Sequence, residues 1–319
     1  MNVNDIIFIQ QDTLWYYVPP ITPTNKVIAL DIDWTVAYGC KQLISKDPDD
    51  IYILPYRKEK LEEMIDLGYT IAFFTNQHST TKQEITKRLG RITTFLQKLD
   101  IPSFAFIATG KAKNNIDDIY RKPEIGMWTK LLTFLPKLED AFFVGDALGR
   151  PQDFSDSDRK FAENIGIQWI SPEDFFGTET EISLPEHKSM VLMVGMPGSG
   201  KSTYAHDVLK PQDYIVVSQD TLKTKKRVIS TAIECMKRCC NIVIDNTNPT
   251  QEGREEFYNL AEQYGYSASV IYLIRDGHGF NSIRETGKVP DIAYHMFFKK
   301  FEQPTEDNTP EYIKLYKMC

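Results

Sequence analysis

Residues 195–203, GMPGSGKST, combine the residue types that bind phosphate groups. Gly195, Gly200, Lys201 and Ser202 match the pattern G-x-x-x-x-G-K-S directly after an apolar segment that fits a strand. Glycines in this context let backbone N–H groups surround nucleotide phosphates, the lysine reaches the β and γ oxygens, and the serine hydroxyl can ligate Mg²⁺. The segment therefore predicts a site for ATP and Mg²⁺, with a structural turn as the alternative.

Phosphoryl transfer to a hydroxyl group also needs a base and positive charge. Asp220 follows the next apolar segment, YIVVS, where a parallel sheet would place it near the loop, and it is the predicted base. A helix N-cap is the alternative for this residue. Arg284, in NSIRETGK, is the predicted cation of a lid, with an exposed surface arginine as the alternative.

A second set of chemical groups begins with DIDWT, residues 31–35. Asp31 and Asp33 stand two positions apart at the end of a predicted strand, so their side chains leave the same face. Two acids this close repel each other unless a cation lies between them, which indicates Mg²⁺. A carboxylate can also act as a nucleophile and form an aspartyl phosphate. For the acidic pair alone, a solvated turn is the alternative.

Three later segments supply further groups suited to a phosphate. Thr75 in FFTNQ offers a hydroxyl to a phosphoryl oxygen, Lys122 in YRKP offers positive charge, and Asp146 in FVGDALGR offers another oxygen ligand for the metal. Ligands of parallel α/β sheets bind at the carboxyl ends of strands, so these groups are predicted to converge with Asp31 and Asp33 on one site.

Short apolar segments alternate with helical patterns along the chain, which predicts two doubly wound parallel-sheet α/β domains. The polar segment 177–189 contains Gly and Pro and separates them, so the predicted domains are residues 1–180 and 181–319. In the second domain, one helical run is expected through Cys240, and helical segments are expected from the last predicted strand to the end. The predicted strands are KVIALDID, TIAFFTN, SFAFIAT and DAFFVGD, then MVLMVG, YIVVS, NIVID and SASVIYLI.

Composition limits the functional classes. With 319 residues, 42% of them hydrophobic, the chain can bury a core in each of two domains. The net charge of −7 argues against broad coating of a polyanion, and the acidic excess lies entirely before residue 186. The second domain carries one basic run, KTKKR, which either contacts substrate or is a solvated helix face. Its charged residues are Lys223, Lys225, Lys226 and Arg227.

The absence of targeting signals and the spacing of the cysteines lead to expectations about cellular location and about the state of the thiols. The sequence has no apolar stretch of membrane-spanning length and no secretory signal pattern, so an intracellular, soluble protein without membrane contact is expected. Whether it is nuclear or cytoplasmic is open. The five cysteines have neither disulfide-framework nor CxxC spacing, which predicts free thiols, with a zinc site as the alternative.

Taken in order, DxDxT, TN, K and GD resemble the haloacid-dehalogenase (HAD) phosphatase superfamily. Longer strings are similar, through nearly all of both domains, to the bifunctional polynucleotide phosphatase/kinase family of DNA repair. Phosphatase precedes kinase here, as in the animal enzymes, whereas phage end-healing enzymes have the reverse order. The strings are FFTNQ, YRKPEIGMW, FVGDALGRP, DFSDSDRKFA, GMPGSGKST and IDNTNP.

This resemblance implies a role for each matching residue. Asp31 would be the nucleophile and Asp33 the general acid/base, while Thr75 and Lys122 would hold the phosphoryl group. In the kinase, Asp220 would be the base and Arg284 the lid arginine. The role of Asp245 in IDNTNP is left open, with a helix cap as the alternative. The implied Mg²⁺ ligands are Asp31, Asp33, Asp146 and Ser202, and the implied ATP-binding residues are Gly195, Gly198, Gly200, Lys201, Ser202 and Thr203.

The chain departs from the family pattern at three positions. Trp34 replaces a usual Gly, and either stacks on a substrate base or packs against the phosphatase itself. Gln219 and Phe280 replace usual arginines, which lowers the expected efficiency of the kinase. DIDWT begins at residue 31, so the forkhead-associated domain of the animal enzymes is not expected, nor is recruitment through a phosphorylated scaffold.

The implied function is the healing of nucleic-acid ends with Mg²⁺ and ATP as cofactors. The enzyme would remove a 3′-phosphate and phosphorylate a 5′-hydroxyl, so that a ligase can join the ends. DNA strand-break repair is the setting that the resemblance favours. Alternatives are the same chemistry on RNA, a fused small-molecule phosphatase and kinase, and a nucleic-acid-binding scaffold with decayed sites. The presence of Asp31, Asp33, Lys201 and Asp220 argues against the scaffold.

Overall fold

The computed structural model describes residues 6–40, 47–79, 81–110, 118–177 and 182–319. The chain divides into two compact units, Met1–Gly177 and Thr178–Cys319. Each unit has its own sheet, and each is described by itself. Both sheets are predominantly parallel and carry helices between their strands, which is the predicted α/β class.

The first unit is built on a seven-stranded sheet in the order β1-β2-β7-β6-β3-β8-β9. The five strands from β7 to β9 in this order are parallel, whereas β2 pairs antiparallel with both β7 and β1. The antiparallel edge was not predicted, and β4 and β5 form a separate small hairpin. The strands are β1 (Ile9–Gln11), β2 (Leu14–Tyr17), β3 (Lys26–Leu30), β4 (Ala37–Tyr38), β5 (Tyr52–Ile53), β6 (Thr70–Asn76), β7 (Ser103–Ala108), β8 (Asp140–Val144) and β9 (Gln168–Ile170).

Helices cover both faces of this sheet. On one face Leu30 and Phe73 pack with Phe95, and on the other Phe74 packs with Trp128. Burial on both faces explains why β3 and β6 are nearly continuous apolar runs rather than alternating ones. The helices of this unit are α1 (Arg57–Asp66), α2 (Lys82–Leu99), α3 (Gly126–Leu132), α4 (Ser157–Ile165) and α5 (Pro172–Phe176).

The second unit has a five-stranded parallel sheet in the order β11-β12-β10-β13-β14. The expectation of helices to the end is wrong, because β14 adds to the edge beside β13. Its sequence, KLYKM, is short and partly charged, which is typical of an edge strand and gives little periodic signal. The strands are β10 (Ser189–Val194), β11 (Tyr214–Ser218), β12 (Asn241–Asp245), β13 (Ser267–Leu273) and β14 (Lys314–Met318).

The prediction of a single helical run through Cys240 is also wrong. Two helices occupy this segment, and the first of them ends just before Lys223, which has φ of 70°. Two hydroxyl side chains explain the division. Ser218 accepts a hydrogen bond from the N–H of Asp220, and Thr224 accepts one from the N–H of Arg227, so each begins a separate helix. The helices are α6 (Lys201–Tyr204), which continues as a π turn and a 3₁₀ turn to Gln212, α7 (Gln219–Leu222), α8 (Lys225–Lys237), α9 (Gln251–Tyr264), α10 (Gly277–Ser282) and α11 (Asp291–Lys300).

Two further observations concern location and metal chemistry. None of the helices in the described ranges has the length and apolar character that crossing a bilayer requires. All five cysteines are free thiols, and the group of side chains in the described residues that is close enough to hold a metal ion is made of aspartates.

Candidate active sites

The first site lies where the parallel strands of the first unit end. Asp31 follows β3, and its N–H donates to the carbonyl of Val144 in the neighbouring strand β8, at 2.9 Å. Thr75 lies near the end of β6, and Asp146 follows β8. The carboxyl ends of three adjacent strands thus present these side chains at one edge of the sheet.

Lys122 reaches this edge from a loop that β6 holds in place. The Asn76 side chain donates to the Lys122 carbonyl at 3.0 Å and accepts from the Lys122 N–H at 2.9 Å. The Lys122 ammonium is buried between two carboxylates, 2.6 Å from Asp31 Oδ1 and 2.7 Å from Asp158 Oδ1. Asn76 in the TN motif therefore positions the lysine, while Thr75 faces the site.

Asp158, on α4, belongs to the site although the sequence assigned it no role. Its Oδ2 accepts a hydrogen bond from the N–H of Ala147 at 3.1 Å. A Cβ atom at Gly145 would lie 2.3 Å from the same oxygen, so only glycine lets the strand end approach this carboxylate. The glycine of FVGD thereby brings Asp158 next to Asp146. The string DFSDSDRKFA contains Asp158, but no strand end marks its position.

The clustered carboxylates of this site carry excess negative charge that a bound cation would stabilise. Oxygen atoms of Asp31, Asp146 and Asp158 lie within 4.8 Å of one another. Burial, together with repulsion from Asp158 and Asp33 and opposed by Lys122, raises the pKa of Asp31 to about 7. Burial, followed by repulsion from Asp31 and Asp158, raises the pKa of Asp146 well above its usual value. Hard oxygen donors with excess negative charge are the set that Mg²⁺ prefers, so these residues fit the predicted metal.

Lys122 supplies part of the compensating charge. Its burial alone would lower the pKa of the ammonium group, but the carboxylates of Asp158 and Asp31 more than offset this effect and raise the pKa above its usual value. Lys122 is therefore held as a cation where a phosphoryl group would enter.

The Asp33 carboxylate has partners outside the acidic cluster. Arg91 Nη2 lies 2.7 Å from Asp33 Oδ1, and Gln77 Nε2 donates to Asp33 Oδ2 at 2.8 Å. The same Gln77 amide group also donates to Thr75 Oγ1 at 2.8 Å. A contribution of Asp33 to metal binding therefore stays a prediction. No sequence motif marks Arg91, whereas Gln77 is part of the FFTNQ string.

Trp34 shows why glycine is usual at its position. Its φ is 60°, a conformation that costs an L-residue other than glycine about 1–2 kcal/mol. The Trp34 N–H donates to the Ala37 carbonyl at 2.7 Å, which closes the turn after Asp33. Its partly buried ring lies 6.1 Å from the ring of Tyr38. This contact favours the packing role over stacking on a substrate base.

The second site is the loop between β10 and α6. Gly195, Gly198 and Gly200 all have positive φ. A Cβ atom at Gly198 would lie 2.3 Å from the carbonyl oxygen of Gly277, so the loop can touch the start of α10 only with glycine there. Ser202 and Thr203 follow in the first turn of α6, with exposed side chains.

Lys201 lies buried within this loop. Its ammonium group donates to the Met196 carbonyl at 2.6 Å and to Ser199 Oγ at 3.4 Å. Burial lowers the pKa of Lys201 to about 8, with opposing effects from the carboxylates of Asp245 and Asp220 and a lesser effect from Arg284 in the same direction as burial. The lysine is thus a cation that lacks full compensation, which is the property a phosphate-binding group needs.

The structure excludes the capping alternatives for the two aspartates of this site. Ser218 is the N-cap of α7, so Asp220 lies inside that helix with its side chain exposed. Thr250 is the N-cap of α9, so Asp245 caps no helix there. Asp245 ends β12 beside β10, where burial raises its pKa and a hydrogen bond with Ser202 opposes that rise. Asp245 therefore lies next to the predicted Mg²⁺ ligand of the loop.

The segment after Asp245 fastens the loop to its neighbours. Asn248 Nδ2 donates to the Met193 carbonyl of β10 at 2.8 Å, and the Gly195 N–H donates to the Thr247 carbonyl at 3.4 Å. Asn246 Oδ1 accepts from the N–H of Gln219 at 2.8 Å. The IDNTNP string thereby holds the phosphate loop and the start of α7, which carries Asp220, in a fixed relation.

Arg284 and Phe280 lie in the segment that follows β13. Phe280 is in α10, Arg284 comes two residues after that helix, and both side chains are exposed. Arg284 is near enough to Lys201 to contribute to lowering the pKa of that lysine. Its use as a lid arginine stays a prediction.

These two sites define a HAD-type phosphatase joined to a P-loop kinase in one chain. A family model described as "Polynucleotide kinase 3 phosphatase" matches residues 26–176, and one described as "AAA domain" matches residues 190–276. A "Bifunctional polynucleotide phosphatase/kinase" of Schizosaccharomyces pombe is 33% identical over 88% of this chain and 77% of its own length. The chain belongs to the bifunctional polynucleotide phosphatase/kinase family.

Other relatives extend the comparison. A "Putative bifunctional polynucleotide phosphatase/kinase" of Acanthamoeba polyphaga mimivirus is 29% identical over 90% of this chain and 83% of its own length. A polynucleotide 3′-phosphatase of Arabidopsis thaliana is 30% identical over 54% of this chain and 26% of its own length. As a member of this family, the chain is an enzyme that combines a phosphatase with a kinase, and its cofactors are Mg²⁺ and ATP.

Proposed function

We propose that this enzyme heals DNA ends in strand-break repair by removing 3′-phosphates and phosphorylating 5′-hydroxyls. The observation that carries the proposal is that one chain of this family holds both a complete acidic and lysine cluster and a complete phosphate loop. Its products, a 3′-hydroxyl and a 5′-phosphate, are the ends that a ligase joins.

In the phosphatase, Asp31 is the nucleophile and Asp33 the general acid/base. An Asp31 oxygen bonds to phosphorus while the bond to the leaving 3′ oxygen breaks, and protonated Asp33 gives that oxygen a proton. A water oxygen then attacks phosphorus and its proton passes to Asp33, so that inorganic phosphate leaves and the Asp31 carboxylate is restored.

The other residues of the phosphatase site bind the phosphoryl group and would hold the metal ion. Lys122 and Thr75 hold the phosphoryl oxygens, and Asp31, Asp146 and Asp158 would hold Mg²⁺. The ion supplies positive charge that offsets the carboxylates and the phosphate.

In the kinase, Lys201 and the backbone N–H groups of the loop hold the ATP phosphates. Asp220 accepts the proton of the 5′-hydroxyl as its oxygen attacks the γ phosphorus, and Arg284 offsets charge on the transferred group. Ser202, with Asp245 beside it, would hold Mg²⁺. Gln219 and Phe280 leave this site with fewer cations than the family pattern, so we expect a kinase that is less efficient than one with arginine at both positions.

One assay tests the proposal against its alternatives. DNA and RNA oligonucleotides with a 3′-phosphate and a 5′-hydroxyl are incubated with Mg²⁺ and ATP, and both ends are followed. We expect both DNA ends to be converted and the product to be a substrate for a DNA ligase. A large preference for RNA would favour the RNA alternative. Inactivity on both polymers, with turnover of nucleoside monophosphates, would favour the fused small-molecule enzyme.

The basic run of the second unit yields a further prediction. The side chains of Lys223, Lys225, Lys226 and Arg227 are exposed, and Lys223 Nζ donates to the Asp220 carbonyl at 2.6 Å, beside the predicted base. Replacing all four by Ser should weaken oligonucleotide binding and reduce its salt slope, by under about one unit for each charge removed. Lys225 should contribute least, because it forms an ion pair with Glu256. Binding is measured by fluorescence anisotropy at several salt concentrations.

The control replaces Lys237 and Arg238 by Ser at the other end of α8, about 20 Å away along that 13-residue helix. This change should leave the salt slope nearly unaltered. If the two sets changed the salt slope equally for each charge removed, or if neither set changed it, the basic run would be a solvated helix face without a binding role.

Trp34 gives a prediction about both stability and specificity. Trp34→Gly relieves the positive-φ strain but loses the ring contact with Tyr38, whereas Trp34→Ala loses the contact and keeps the strain. The Gly variant should therefore be more stable than the Ala variant by about 1 kcal/mol. Because the ring packs within the protein, both variants should change kcat/KM for p-nitrophenyl phosphate and for a 3′-phosphorylated oligonucleotide by similar factors. A loss confined to the oligonucleotide would show stacking instead.

A further inference from the structure

Arg91 is an arginine inside the protein that points at a catalytic carboxylate. It lies in the middle of α2 with only 2% of its side chain exposed. Its Nη2 is 2.7 Å from Asp33 Oδ1, and within the described part of the chain its buried Nε has no hydrogen-bond partner. The guanidinium group therefore forms its described ion pair with Asp33 while part of its hydrogen-bonding capacity stays unused.

Packing of α2 does not explain this arginine. Arg88, one turn earlier, is also buried and interacts electrostatically with Asp33 and Arg91. Beyond Arg91 the buried face of the helix consists of Ile92, Phe95, Leu96 and Leu99, all within one apolar core. Burying a guanidinium group is unfavourable unless ionic and hydrogen-bonding partners compensate for the lost water. An apolar residue would serve the core better, so the position of Arg91 points to a role at Asp33.

The geometry at Asp33 shows what that role can be. Arg91 occupies Oδ1, and Gln77 occupies Oδ2 at 2.8 Å. Each carboxylate oxygen can accept two hydrogen bonds, so neither of these two contacts by itself uses the full accepting capacity of the oxygen that it meets. The Asp33 side chain is 38% exposed, which leaves it accessible to a reacting group. Two donors from different parts of the chain thus hold the plane of the Asp33 carboxylate, and the side chain stays accessible for proton transfer.

We infer that Arg91 is a positioning residue that, with Gln77, orients Asp33 for proton transfer to the leaving oxygen. The inference rests on the proposed phosphatase function. Arg91 acts through Asp33 and makes no contact with the reacting atoms. A fixed donor geometry matters because proton transfer requires the acid and the leaving oxygen to come within hydrogen-bond distance at a suitable angle.

The test uses two phosphate esters of similar size with different leaving groups. Benzyl phosphate releases an alkoxide that needs a proton, whereas p-nitrophenyl phosphate releases a stable phenolate that needs little help. Because kcat/KM covers the steps through departure of the leaving group, it isolates the acid role of Asp33. Arg91→Met should lower kcat/KM for benzyl phosphate about 30-fold and for p-nitrophenyl phosphate less than about threefold. Arg91→Lys should give a smaller loss, again selective for benzyl phosphate.

A matched control lies on the same helix. Lys98 Nζ donates to the Ile51 carbonyl at 2.7 Å and helps attach α2, so Lys98→Met tests whether a looser helix alone causes the effect. This variant should treat both esters alike. Thermal midpoints of all variants are measured beside the kinetics, and Arg91→Lys decides the question if Arg91→Met does not fold.

Different results would contradict the positioning role of Arg91 and the proposed phosphatase function on which that role rests. Equal losses on the two esters in either Arg91 variant, or no loss in a folded Arg91→Met protein, would overturn the positioning role while the wild-type enzyme remains a phosphatase. A wild-type protein that hydrolyses neither the esters nor a 3′-phosphorylated oligonucleotide would overturn the proposed phosphatase activity itself, and the role of Arg91 with it.

Discussion

Asp31→Asn should abolish removal of the 3′-phosphate, with a loss of at least about 10⁴-fold, and leave 5′ phosphorylation within about twofold of wild type. An amide cannot form the aspartyl phosphate, and it removes one of the two carboxylates that hold Lys122. The variant should fold, because burial already raises the pKa of Asp31 to about 7, so this position tolerates a neutral side chain. Both activities are measured on the same preparation, with one doubly labelled oligonucleotide.

Asp66→Asn, an exposed acid at the end of α1, is the control for loss of one negative charge from the same unit. It should change neither activity. If folded Asp31→Asn protein lost both activities, the assignment of the two reactions to separate sites would be wrong.

Lys201→Ala is the complementary change and should lower 5′ phosphorylation about 10²–10³-fold while sparing the phosphatase. The Lys201 ammonium group is the buried cation of the phosphate loop, and burial lowers its pKa to about 8. Its removal deletes charge that the ATP phosphates would otherwise meet. Because the charge is incompletely compensated without nucleotide, the variant alone should be no less stable than wild type.

Nucleotide-dependent stabilisation measures this prediction independently of turnover. Mg²⁺-ATP should raise the thermal midpoint of the wild-type protein, since a ligand of the folded state stabilises it, and should do so much less for Lys201→Ala. Lys210→Ala, an exposed lysine in the same stretch of chain, should respond as wild type. Normal kinase activity in Lys201→Ala would contradict the binding role of the loop.

The sequence was most informative where backbone geometry dictates residue type. The strands that lead to Asp31, Thr75 and Asp146 in the first unit, and to Asp245 in the second, are largely apolar and buried. Within each unit, parallel pairing brings the carboxyl ends of neighbouring strands to one edge of the sheet. The phosphate loop is recognisable because its glycines adopt conformations or close approaches that other residues resist. These constraints are local, so a single sequence displays them.

Residues that reach the sites from helices could not be predicted in this way. Asp158 and Arg91 are charged residues within α4 and α2, where charge usually marks the solvent face of a helix. Only packing against the sheet reveals that both side chains point inward. The edge strands β1, β9 and β14 are the other omission, because each has only three to five residues of mixed polarity. β2 was also not predicted, since it pairs with β7, which is distant in sequence.

The central place of β10 has a consequence for how the second unit is made. Met190 of this strand pairs with Ile242 on one side and with Ala268 on the other. During synthesis from the N-terminus, the phosphate loop therefore emerges long before either of the strands that support it. Contacts between such distant segments form slowly and leave apolar strands exposed in the meantime. The loop is thus among the first parts of the unit to be translated and can become competent for ATP only after β13 has emerged from the ribosome.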